Sequence, residues 1–196
     1  VLNLIAFAIV ILCMTITPST TKAAKIDLSE IGATATASGS LYDYTNPEKA
    51  IDGLFTVYDP DHEITSNYLW IGDTSSYGWL QVDLGETYTL DQISLYSRDN
   101  PTIPYFYFTN YNLYTSLSPL DFSEDSKVAS GKLWDDNTSP EQDYYDHIIF
   151  ANQINARYIL FESLNTSSHW AHLDEIEVYG SKSVDTTVVP EPSSAL

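Results

Sequence analysis

Two segments of this 196-residue chain alternate strictly between apolar and polar side chains, and both stop at a glycine: Trp79-Leu-Gln-Val-Asp-Leu-Gly85 and Leu173-Asp-Glu-Ile-Glu-Val-Tyr-Gly180. In the first, Leu80, Val82 and Leu84 oppose Gln81 and Asp83; in the second, Ile176 and Val178 oppose Glu175 and Glu177. A period of two sends successive side chains to opposite faces, so each segment reads as a half-buried antiparallel strand running into a turn. The two segments lie far apart in the chain. They fix a fold only if they belong to one sheet system in which early and late segments meet.

The rest of the chain follows the same rule. Short alternating or β-branched segments recur at Ala33 to Ser38, Thr87 to Ser97, Tyr111 to Ser116, Asp146 to Phe150 and Arg157 to Ser163. Turn-rich stretches such as Asp99-Asn-Pro-Thr-Ile-Pro104 and Asp135-Asp-Asn-Thr-Ser-Pro140 separate them. Helical periodicity is nearly absent, and regular short strands with this punctuation predict an all-β sandwich or barrel. No internal repeat is visible.

At the N-terminus, Val1 to Met14 is apolar apart from Asn3 and is followed by the small and polar residues Thr15 to Thr21. The run is shorter than the roughly 20 residues needed to span a bilayer and has the length of a signal-peptide core. We expect residues 1–24 to be a signal peptide cleaved near Ala23 or Ala24. The single cysteine, Cys13, lies inside that segment, so the mature chain is expected to have no disulfide, thiol nucleophile or cysteine-based zinc site. The formal net charge is −19, which repels nucleic acid and anionic membranes and favours cations, calcium above all outside the cell. With 15 Tyr, 7 Phe and 4 Trp, the chain has a large burial drive and reads as folded despite its charge. From Ser181 onward the sequence carries two prolines and no alternation, as a linker would.

Taken in order, Asn46-Pro-Glu-Lys-Ala-Ile-Asp-Gly53, Trp70, Trp79–Gly85, Ile93-Ser-Leu-Tyr96, Arg157-Tyr-Ile-Leu160 and Leu173–Gly180 resemble the discoidin family. These are the coagulation factor 5/8 type C domains, kin of galactose-binding-like carbohydrate-binding modules. The resemblance spans residues 30 to 180 and implies a jelly-roll β-sandwich (galactose-binding domain-like) over residues 25–180. Val189-Pro-Glu-Pro-Ser-Ser-Ala-Leu196 resembles the start of a PEP-CTERM sorting signal, so residues 181–196 are expected to be a linker and the beginning of that signal. Membrane contact is then expected only through the hydrophobic helix that such a signal continues into.

The resemblance also implies a structural calcium ion where the early loop meets the last strand. Asp52 and Glu175 match its side-chain ligands, and carbonyls of the Asp52-Gly53 turn complete the shell. The family's Thr two residues before Trp is absent from Asn67-Tyr-Leu-Trp70. Thr65 is the nearest substitute, Thr56 a further one, and Asp59, Asp61 and Glu63 could add charge. A second reading makes Asp52 a turn cap and Glu175 a solvated strand residue.

Ligand recognition is expected from loops at one end of the sandwich, covering Asp59 to Ser76, Ser97 to Thr109 and Asn165 to His172. Sugars present apolar faces ringed by hydroxyls, which aromatic platforms beside Arg, His and Asn donors suit. Arg98 stands where fucose- and galactose-binding relatives place a sugar-contacting Arg; Tyr105, Tyr107, Trp170 and His62 are the other candidates. The second Arg of those lectins falls near Tyr107 and is missing here. Core packing is the competing reading for Tyr105, Tyr107 and Trp170, and a salt bridge for Arg98. Trp70, Trp79 and Tyr96 are read as core.

No G-x-S-x-G, H-E-x-x-H or phosphate loop occurs in the sequence, and acidic residues this numerous give carboxylate pairs no diagnostic value. The expectation is a non-catalytic, calcium-stabilised module binding carbohydrate or exopolysaccharide. It would be exported to the extracellular space or cell envelope of a bacterium, with no nucleic-acid partner. The alternative is a structural or adhesive matrix protein that contacts cell-surface proteins.

Overall fold

The computed structural model describes residues 23–40, 42–55, 70–72, 78–97, 110–133, 145–164 and 171–183. Nine strands follow in chain order among them: β1 (Lys25–Ile26), β2 (Thr34–Ala37), β3 (Trp70–Ile71), β4 (Trp79–Tyr96), β5 (Tyr111–Ser116), β6 (Lys127–Gly131), β7 (Tyr145–Ser163), β8 (His172–Leu173) and β9 (Glu175–Lys182). The only helical turns among the described residues are 3-10 turns at Asp43–Thr45 and Pro47–Ala50. The main sheet runs β1-β9-β4-β7-β5-β6 with β2 also on β4, and β3 pairs β8 separately. Every pairing is antiparallel.

One covalently continuous sheet makes both layers of the sandwich, because its two long strands fold over together. The first part of β4 pairs β2 and the end of β7, which in turn pairs β5; from Tyr88 onward β4 lies between β9 and the first part of β7. Register breaks between Asp83 and Tyr88, where Gly85 takes φ +78°. That left-handed backbone is accessible to glycine at no steric cost. The segments Trp79–Leu84 and Thr87–Ser97, which read as separate strands in the sequence, are therefore one bent strand. The same holds for Asp146–Phe150 and Arg157–Ser163, which merge in β7.

Alternation decides which faces meet. Leu80, Val82, Leu84, Tyr111, Leu113, Ile159 and Phe161 bury from one layer against Leu90, Ile93, Leu95, Ile176 and Val178 from the other. Within β4 the buried set switches from even to odd positions after Leu90, at a bulge that appears in the registers with both β7 and β9. One extra residue resets the parity and keeps both halves facing the core. Trp70 is fully buried, as expected, and its indole N–H donates to the Gly39 carbonyl at 3.0 Å. Tyr96 and Trp79 differ from the expectation: both are only half-buried, and Tyr96 lies on the outer face, opposite in parity to Leu95.

A Cβ at Gly85 would meet no heavy atom within 4 Å, so its substitution tests backbone conformation alone. Gly85→Ala should lower stability by about 1–2 kcal/mol, read as a reduced urea midpoint at unchanged m-value, and Gly85→Asn should cost less.

Candidate functional site

The first candidate is built from the turn after the Pro47–Ala50 3-10 segment. Ala50 and Ile51 are buried in the core, which pins the backbone just before Asp52-Gly53. Gly53 takes φ +75°, and its N–H donates to Oε2 of Glu175 at 3.1 Å. Oδ1 of Asp52 accepts the Leu54 N–H at 3.0 Å, and its Oδ2 accepts from Lys49 Nζ at 3.1 Å. Asp52 thus caps its turn, and it also faces Glu175 across a cavity of about 270 Å³ lined by Lys25, Asp27, Ser29, Asp52, Gly53 and Glu175.

Glu175 is not a solvated strand residue: only 2% of it is exposed. Burial pushes its carboxyl up to about 8, against the Gly53 N–H, which favours the ionised form; the charge of Asp52 pushes it further up. Oxygen donors of this type are the chemistry of a hard cation such as calcium, which takes six to eight of them. Among the described residues no group of three or more His, Cys, Asp or Glu side chains is arranged to hold a metal. Asp52 and Glu175 would therefore need backbone carbonyls and a further ligand to complete a shell. The expected third side chain, Thr65, lies outside the described residues, as do Thr56, Asp59, Asp61 and Glu63.

The second candidate is the end of the sandwich opposite the Gly85 corner. Because β4 and β7 double back, the start and end of β4 reach the same end of the domain. Backbone hydrogen bonds join the chain segments there: Ser163 N–H to the Gly78 carbonyl at 2.7 Å, Leu164 to Asn110 at 3.0 Å, Gly72 to Ala171 at 2.9 Å, and Asp174 to Tyr96 at 2.8 Å. Segments 56–69, 98–109 and 165–170, which carry His62, Arg98, Tyr105, Tyr107 and Trp170, leave from these gathered ends or lie between them in sequence. Those five side chains lie outside the described residues, together with Tyr68, Phe106 and His169. His172, expected on a loop, is instead buried on β8, paired opposite Ile71. The expected signal peptide, apart from its last two residues, and the sorting tail are likewise outside the described residues.

The sequence reading missed a third feature, an aromatic group on the outer face of the layer formed by β9, β4 and β7. Phe55 meets Tyr96 edge-on at 5.1 Å, and Tyr145 lies 4.6 Å from His147 and 6.1 Å from Tyr96. The alternation of Tyr145, His147 and Ile149 was its signal.

The F5/8 type C domain family model matches residues 34–176, and the chain belongs to that family. Solved structures share the fold. A family 32 carbohydrate-binding module of C. perfringens NanJ, in complex with galactose, has 20% identity over 79% of this chain and 97% of that one, with a TM-score of 0.58. Another Clostridium perfringens family 32 module, in complex with GalNAc-β-1,3-galactose, has 18% identity over 80% and 100%, also at 0.58. A fucolectin from Morone saxatilis (striped bass) serum has 18% identity over 81% of this chain and 50% of the other, at 0.61. These likenesses bear out the all-β, galactose-binding-like sandwich. No match was found among curated protein sequences.

The buried acid makes a pH test possible. In the folded protein Glu175 keeps its proton up to about pH 8, whereas the unfolded chain releases it near 4.5. Between these values the folded state binds more protons, so this group's contribution to stability is full below about pH 4.5 and is lost as pH rises to 8. The melting midpoint of metal-free protein should fall over that range, and Glu175→Gln should flatten the fall.

Proposed function

We infer that this chain is a non-catalytic carbohydrate-binding module, stabilised by calcium and working outside the cell, at the cell surface or in an exopolysaccharide matrix. The observation that carries the reading is the gathering of strand ends by the Gly78–Ser163, Asn110–Leu164, Gly72–Ala171 and Tyr96–Asp174 hydrogen bonds. It brings to one end of the sandwich the roots of segments that bear Arg98, Tyr105, Tyr107, Trp170 and His62. A rigid β scaffold presenting aromatic-rich loops at one end suits recognition of sugars, whose apolar ring faces stack on aromatics while hydroxyls meet polar side chains. The ligands of the two clostridial modules, galactose and a galactose-containing disaccharide, make galactosides the first sugars to try.

Calcium fits the same reading. Asp52 and Glu175 would supply side-chain oxygens and the turn its carbonyls, with Thr65 as the remaining side chain. Bound there, the ion would favour the ionised form of Glu175, which burial and the charge of Asp52 now disfavour, and would tie the early turn to the last layer strand. The acidic surface, at net charge −19, attracts such a cation.

Two measurements check these statements. On a glycan array the protein should show saturable binding that is lost in Tyr107→Ala or Trp170→Ala; an array with no binding would favour the adhesive reading, in which proteins are the partners. In thermal melts, calcium at about 100 times its dissociation constant should raise the midpoint by about 5–10 °C, and Glu175→Gln should abolish the shift. An equal midpoint in EGTA and in calcium would overturn the metal assignment.

A further inference from the structure

The outer face of the β9–β4–β7 layer carries a built surface that neither the fold nor the loop-end site uses. The registers place Tyr145, His147 and Ile149 of β7 beside Tyr96, Ser94 and Gln92 of β4. On the other side of β4 they place Glu175, Glu177 and Tyr179 of β9, and Lys25 of β1 lies opposite Tyr179. These residues share one face because partners in register and alternate positions along a strand do so. Large apolar groups are left open here: Ile149 is 74% exposed, Tyr145 49% and Phe55 42%.

Between and beneath the rings, the polar groups are fixed. Glu177 accepts hydrogen bonds from the hydroxyls of Tyr96 and Tyr179, each at 2.8 Å, and from Lys25 Nζ at 2.6 Å. Gln92 Nε2 donates to Ser94 Oγ at 2.8 Å, and Ser94 Oγ lies 2.8 Å from His147 Nδ1. With Nδ1 engaged by Ser94, Nε2 is the ring nitrogen left to meet a ligand, and Gln92 keeps its carbonyl oxygen as an acceptor.

We propose that this face is a second glycan-binding site, which takes an uncharged polysaccharide chain laid across β7, β4 and β9. It rests on the carbohydrate reading above but not on the loop-end site. Three properties select this occupant. Exposed rings interleaved with fixed donors and acceptors match a ligand that alternates apolar ring faces with hydroxyls. The same interleaving breaks up the contiguous apolar centre that a protein partner requires. The net negative charge of the protein repels polyanions, and Lys25, the cation that borders the face, is committed to Glu177. The face spans two strand spacings, about 10 Å, which exceeds a single sugar ring and calls for a chain.

The test is affinity electrophoresis in gels containing an uncharged galactomannan, xyloglucan or mixed-linkage β-glucan, with alginate as the anionic control. Tyr145→Ala/His147→Ala changes two exposed side chains, and a melting curve verifies that the fold is kept. We expect the double variant to lose about tenfold in affinity for at least one uncharged polymer, with Trp170→Ala and Tyr107→Ala retaining it and alginate giving no retardation. Hydroxyl-radical footprinting should show Tyr145 and His147 protected by the same polymer. Unchanged retardation of the double variant, with loss in the loop variants, would overturn this site and leave the proposed function standing. Wild-type protein unretarded by every uncharged polymer would also overturn it, while array binding of small sugars would still report separately on the loop-end site.

Discussion

The sandwich depends on the corner at which β4 and β7 fold over together. Arg157 grips Asp83 through two nitrogens of its guanidinium, Nε to Oδ1 at 2.8 Å and Nη2 to Oδ2 at 2.9 Å, while Oδ1 of Asp83 also accepts the Gly85 N–H at 2.8 Å. This fork ties the last residue of one ladder to the bend of the other, and it holds the Asp83 carboxyl below the usual carboxylate range. A bidentate pair fixes direction as well as distance. That matters more here than its contribution to stability, which partial exposure weakens. Once the corner is set, the two layers face each other, and the free ends of the long strands point away from it together. The gathering of these strand ends at one end of the sandwich is thus a consequence of where the sheet bends.

Glu175 and Glu177 show what position in this frame does to identical chemistry. Both are buried on the outer side of β9. Burial raises the Glu177 carboxyl too, but Lys25 and the hydroxyls of Tyr96 and Tyr179 outweigh it, and the group ends below its ordinary value. Glu175 has the Gly53 N–H against both burial and the charge of Asp52, and ends far above. Within one strand, then, Glu177 is internally compensated and serves to order the face, while Glu175 remains short of a positive partner. That imbalance is what supports the proposed cation site at the Asp52–Glu175 cavity, and it depends on packing that alternation alone does not reveal.

The parts of the fold legible in the sequence were those set by local periodicity. Leu80, Val82 and Leu84 announce an inward face wherever the strand sits, and Asp52-Gly53 announces a turn because its backbone geometry is local. The joining of two segments into one bent strand was not legible, since Gly85 reads equally as an end or a corner until its partners in β7 are known. The competing reading of Glu175 as a solvated strand residue fails for the same reason: period two assigns it outward, but it is buried there beside the Asp52 turn, whose Gly53 N–H it accepts. Tyr96 was read as core on the strength of its aromatic ring, although its parity with Leu95 already placed it outside. His172 looked like a loop residue because a two-residue strand such as β8 is too short for any periodicity to register.

The turn and the outer face also bear on each other. Asp52-Gly53 is held by Glu175, and two residues later Phe55 sets its ring edge against Tyr96, whose hydroxyl is bonded to Glu177. Tyr96 in turn lies beside Tyr145 and His147. A cation that draws Asp52 and Glu175 together would therefore stiffen the segment that carries Phe55 and, through Tyr96, one border of the aromatic face. Stiffening matters for sugar binding because each ring held in place beforehand is one fewer to order when ligand arrives. The proposed metal and the proposed glycan face would then be linked through a short run of contacting side chains, from the Asp52 turn through Phe55 and Tyr96 to Tyr145 and His147.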